Sequence, residues 1–211
     1  MKKKIAIIAL AVTVTMLTAC AAENTPSAVS QQESSSAVSS EAKSESALTE
    51  DTAKETVKLI MPIADKFYSI YYRCSLPVDS SVSVTDANGF AYSPVESVYD
   101  TLDALKADTE KYFTKEYLES SFYLNLSDDT AFYKDIDGKL YENTDAVSDG
   151  KNIWDTTSCV ISGLTDTGFT AIVPYLDLYE AQRNAMLQFV LDGDTYKINS
   201  WEMNLEVMNG K

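Results

Sequence analysis

The 211-residue chain has no histidine. That absence removes Ser-His-Asp and Cys-His nucleophile pairs, histidine-based zinc sites and the commonest general base. Cysteine is scarce, at Cys20, Cys74 and Cys159, and a nucleophilic thiol would lack an imidazole to activate it. A long apolar run is also missing, since the stretch Ile5–Ala19 is too short to span a bilayer comfortably. Basic residues are in deficit, 17 against 32 acidic, for a net charge of −15. Residues 51–211 carry 27 acidic and 13 basic side chains. A region this acidic repels nucleic acid and anionic lipid, and suits either a solvated surface or a basic partner. Nothing in these patterns calls for a cofactor or a bound metal.

What is present starts with a leader. "MKKK" precedes the apolar stretch, which ends in "LTAC" at Leu17–Cys20. A basic start, a short apolar core and small residues before a break describe a secretory signal over 1–19. The Cys directly after Leu-Thr-Ala looks like a lipobox, in which the thiol is acylated and the mature chain begins at Cys20. The expected location is therefore the outer face of a bacterial membrane, held by the lipid alone. Residues 20–50 hold that Cys and a Ser-, Ala- and Glu-rich stretch with no aromatic and no apolar period. Such a stretch cannot bury enough surface to offset its ordering entropy and reads as a tether. Residues 51–211 make one domain with room for a core.

Val57, Ile60, Ile63, Ala64, Phe67, Ile70, Tyr71 and Cys74 recur by threes and fours, which predicts one long helix face over Thr49–Cys74. Thr49, Thr52 and Glu55 supply capping chemistry at its start. Pro62 should kink the helix or mark its true beginning. Short strands are expected around Asn88-Gly89, then a helix carrying Val98 to Phe113 and another starting at Thr114. After residue 131 the period changes to two. "TTSCVISGL", "GFTAIVPYLD", "AMLQFVLD" and "TYKINSWEMN" read as four strands joined by tight turns, with "LDLYEAQRN" as a strand end and open loop. Helices followed by an antiparallel meander give an α+β fold, a curved sheet wrapped on the long helix in a cone of the NTF2-like or cystatin-like kind.

"DIDGKLYENTDA" (Asp135–Ala146) invites a calcium reading. An EF-hand loop needs Gly sixth and an acid twelfth; here Gly is fourth and Ala twelfth. Phe132, Ile136, Leu140 and Tyr141 instead flank Asp137-Gly138, a preferred pair for a tight hairpin. The acids then belong to an exposed turn continued by Asp145, Asp149 and Asp155, an acidic protruding segment. Trp154 beside Asp155 is either an aromatic anchor for a partner or a strand-start residue packed into the core. Cys74 at the helix end and Cys159 early in a strand are either a disulfide stapling helix to sheet or two buried thiols.

"LKADTEKYFTKEYLESSF" (Leu105–Phe122) and "YKDIDGKLYENTDAVSDG" (Tyr133–Gly150), with the closing strands, resemble the IseA family of peptidoglycan DL-endopeptidase inhibitors. The resemblance runs from about residue 56 to about 206; the lipobox, the tether and Pro62 are departures from the family. It implies a non-enzymatic, exported α+β protein that binds and blocks NlpC/P60-type cysteine endopeptidases of the cell wall. Asp135, Asp137, Asp145, Asp149 and Asp155 would then be charge-complementary contacts. The alternative is a small-ligand carrier with Phe67, Tyr68, Tyr71 and Tyr72 lining a pocket. An enzyme working through Asp and Tyr alone stands third, with no residue to single out for it.

Overall fold

The computed structural model describes residues 48–127 and 130–205. The chain divides into two units, Met1–Ser44 and Glu45–Lys211, and the described residues fall in the second. The signal, Cys20 and most of the tether lie outside them. The described unit is α+β: a few helices and a curled antiparallel sheet that forms a half-barrel, compatible with a cone-like NTF2 or cystatin fold.

Helix α1 spans Glu50–Arg73. Thr49 caps it through a reciprocal box, its hydroxyl accepting from the Thr52 amide at 3.2 Å while Thr52 Oγ1 accepts from the Thr49 amide at 2.9 Å. Glu50 and Asp51 in the first turn and Arg73 in the last complement the helix dipole. The helix runs unbroken through Pro62, which sits on its exposed side. Ala53, Val57, Met61, Ala64, Phe67, Ile70 and Tyr71 form its buried face, close to the predicted stripe. Cys74 ends it in the left-handed region at φ 49°.

Helix α2 (Leu102–Thr109) is shorter than the pattern from Val98 to Phe113 predicts. Thr101 starts it, its hydroxyl accepting from the Ala104 amide, and Val98 lies outside it, exposed. Tyr112 and Phe113 follow the helix in a turn, fixed there because the Thr114 amide donates to the Ile198 carbonyl and the Ile198 amide donates to the Tyr112 carbonyl. Helix α3 (Lys115–Ser120) starts from Thr114 as expected and leads into a 3-10 turn at Phe122–Leu126.

Strands β1 (Val84–Thr85), β2 (Ala91–Pro94), β3 (Tyr133–Ile136) and β4 (Lys139–Asn143) make a sheet in the order β1-β2-β4-β3. Asp137 and Gly138 link β3 to β4 with φ of 50° and 78°. Two consecutive positive φ values are what a tight hairpin turn requires, so the hairpin reading holds. The second sheet has β7 (Gly168–Leu176), β8 (Gln182–Asp192) and β9 (Thr195–Leu205) in sequence, with β5 (Ile153–Trp154) and β6 (Val160–Thr165) both paired to β7. Phe169, Ala171, Val173 and Tyr175 of β7 and Ala185, Leu187 and Phe189 of β8 alternate into the core. A register shift sets Gln188 opposite Ser200 but Phe189 opposite Ile198. This bulge at Asn199 turns Ile198 and Trp201 inward together, although they are three residues apart.

Candidate functional site

The acids singled out in the sequence do not form one protruding segment. Asp135 and Asp137 sit on the β3–β4 hairpin, where Asp135 Oδ1 accepts the Leu102 amide at 2.8 Å and so caps α2 from outside. Asp145 Oδ2 accepts the Ala91 amide at 2.9 Å. From Ser148 onward the chain is strapped along α1, antiparallel to it. The Ser148 amide donates to the Arg73 carbonyl at 3.0 Å. The Arg73 guanidinium donates to the Gly150 carbonyl and, at 3.4 Å, to Asn152 Oδ1. Trp154 Nε1 donates to Asp65 Oδ1 at 2.8 Å, and Cys159 lies beside Lys54 and Glu50 in the first turns of the helix. The cause is physical: α1 offers polar partners along its flank, and the strap's own polar groups use them.

Asp155 follows β5 and caps a 3-10 turn at Thr156–Ser158. Hydrogen bonds from Ser158 and Thr157 hold its carboxyl down at about 2. Asp135, Asp137, Asp145, Asp149 and Asp155 are all exposed. Glu142, from the same run, is not part of an exposed turn: it is 1% exposed, and its Oε2 accepts the Tyr133 hydroxyl at 2.6 Å and the Leu76 amide at 2.9 Å. Burial pushes its carboxyl above the usual range.

Trp154 packs inward. Its ring centroid lies 4.6 Å from Tyr175 and 5.7 Å from Trp201, which favours the packing role over the anchor. The four aromatics suggested as a pocket lining pack on other side chains. Phe67 and Tyr71 are fully buried in the core, and Tyr68 and Tyr72 pack on each other at 4.8 Å.

Cys74 and Cys159 are both free and buried, so the disulfide reading is corrected. Cys74 caps the C-terminus of α1 while Cys159 lies near its start. At about 1.5 Å per residue the intervening helix keeps them roughly 30 Å apart, against a Cα separation of about 7 Å that a bridge tolerates. Burial pushes the Cys74 thiol up to about 12 and raises that of Cys159. Neither thiol should alkylate in the native protein, and both should after unfolding. Peptide mapping with iodoacetamide before and after urea checks this, and native labelling at Cys74 would contradict it.

A pocket of about 510 Å³ opens at the C-terminal end of α1, lined by Asp65, Arg73, Cys74, Glu142, Asp149 and Lys151 among others. The Arg73 guanidinium lies over the Tyr68 ring at 5.5 Å. Burial raises the Asp65 carboxyl in spite of Trp154 and Arg73. Among the described residues no group of three or more Cys, Asp and Glu is placed to hold a metal ion, and no helix is long and apolar enough to cross a membrane. No protein-family model matches this chain, and no curated protein matches it.

Proposed function

We propose that the chain is an exported lipoprotein, anchored through an acylated Cys20, whose domain binds and inhibits a cell-wall DL-endopeptidase of the NlpC/P60 type through its acidic face. The observation that supports this most is how the exposed acids are held. Asp135, Asp145 and Asp155 each stay exposed while accepting backbone amides at fixed geometry. Fixed exposed charges speed encounter with a basic partner and set its register.

The test uses the full chain in detergent micelles against the catalytic domain of such an enzyme, with muropeptide cleavage and binding kinetics as readouts. Asn replacing Asp135, Asp137 and Asp149 together keeps an acceptor oxygen and tolerates the left-handed turn at position 137 while removing three charges. The association rate is expected to fall about tenfold at low salt, and the parent's advantage to shrink above about 0.15 M, where screening reaches about 8 Å. Unchanged cleavage at micromolar excess of the parent would overturn the reading. A second reading, a small-ligand carrier, is favoured by the pocket at the end of α1, where buried Arg73 and Glu142 face one space.

A further inference from the structure

We infer that the epitope for this partner is centred on the β7–β8 loop, with Tyr179 as an anchor that seats in an apolar pocket of a basic cleft. The inference rests on the partner-binding reading above. β7 and β8 stay in register out to Leu176 and Gln182, leaving a five-residue loop, 177–181. The loop holds a fixed shape. Asp177 Oδ1 accepts the Tyr179 and Ala181 amides, each at 2.9 Å. The Asp177 amide donates to the Ala181 carbonyl at 3.0 Å, and the Glu180 amide to the Asp177 carbonyl at 2.9 Å. Asp177 Oδ2 holds Arg183 Nε at 3.3 Å. Glu180 is kept in the left-handed region at φ 60°, a conformation that costs a non-glycine residue. All this order presents a tyrosine that is 81% exposed.

The surroundings have the anatomy of an interface, an apolar centre and a charged rim. Ile153, 61% exposed, is the cross-strand partner of Leu176. Leu178, 48% exposed, lies against Gly150 of the strap. A hollow of about 270 Å³ between Ile153, Asp155, Leu176 and Gln182 continues the patch. The rim carries Asp149, Asp155 and Glu180 against Lys151, with Asp177 and Arg183 paired to each other. The exposed patch is net negative, so the complementary surface is basic. An anionic lipid surface would be repelled. Because the loop is ordered before binding, little of the anchor's contact energy is spent on ordering it.

The experiment measures binding of the full chain, in micelles, to the endopeptidase catalytic domain. Tyr179→Ala should raise the dissociation rate about 10- to 100-fold, with the association rate within about twofold and the thermal midpoint unchanged, as expected for an exposed hot-spot aromatic. Tyr179→Phe should stay within about threefold of the parent. If the parent binds and Tyr179→Ala dissociates within threefold of it, the epitope is wrong while the partner-binding reading stands. If the parent does not bind, both fall. Should sedimentation find that the parent forms a dimer that Tyr179→Ala abolishes, the occupant is a second copy of the chain and the inference is overturned.

Discussion

Replacing Phe113 by Ala is expected to lower the stability of the domain by about 3–5 kcal/mol, a large share of the roughly 5–15 kcal/mol typical of a folded domain. Phe113 is fully buried. Its ring meets Phe67 of α1 at 6.3 Å, Phe122 of the 3-10 turn at 5.0 Å, Tyr117 of α3 at 5.8 Å and Trp201 of β9 at 6.4 Å. The backbone on either side of it is bonded to Ile198, so the surroundings cannot collapse freely into the space left behind. Phe113→Leu retains most of the volume and should cost less than about 2 kcal/mol. Urea unfolding of both variants checks the ordering. A loss below about 1 kcal/mol for Phe113→Ala would mean the aromatic cluster is not the centre of the core.

The second large effect concerns Glu142. Glu142→Ala removes the acceptor of the Leu76 amide and the nearer acceptor of the Tyr133 hydroxyl. The hydroxyl has the Ile70 carbonyl at 3.1 Å as a second choice, so the orphan is chiefly the amide. With the void left by the side chain, the expected loss is about 3 kcal/mol, or about 6–12 °C in the thermal midpoint for a domain of this size. Glu142→Gln keeps an acceptor oxygen and separates hydrogen bonding from charge. Because the folded carboxyl titrates above its unfolded value, the folded state binds the proton more tightly, and ionising Glu142 opposes folding. That penalty is complete above the folded pKa and is relieved as pH falls toward the unfolded value of about 4.3. The stability of the parent relative to Glu142→Gln should therefore rise as pH falls through this window. A difference that is flat between about pH 4 and pH 7.5 would contradict it.

The parts legible in the sequence are those set by local chemistry. The α1 stripe, the Thr49–Thr52 cap, the Asp137-Gly138 turn and the β6–β9 run each rest on residues within a few positions of one another. What was not legible depends on distant partners. Nothing near residues 148–159 announces that Arg73 and Asp65, more than seventy positions earlier, will hold them against α1. Trp154 beside an acid reads as an exposed anchor until Asp65, Tyr175 and Trp201 are seen to surround it. The cysteines looked like a staple because spacing does not say that Cys159 reaches the far end of the helix. Tyr179 did carry a local signal: Asp177, two residues before it and four before Ala181, is placed to hold both amides, a side-chain turn hidden in a stretch that reads as an open loop.

The route of the strap also bears on the order in which the chain acquires its structure. Helix α1 is the earliest described element to be synthesised, yet its covering comes from Phe122–Leu126, Thr156–Ser158, β6 and, through Tyr68 and Trp201, from β9. Its apolar stripe is therefore covered in stages, from Phe113 and Phe122 first and from Trp201 of β9 last. Contacts so far apart in sequence form slowly because loop closure must come first. The last of those contacts waits for β9, so the two ends of the described unit close its core together.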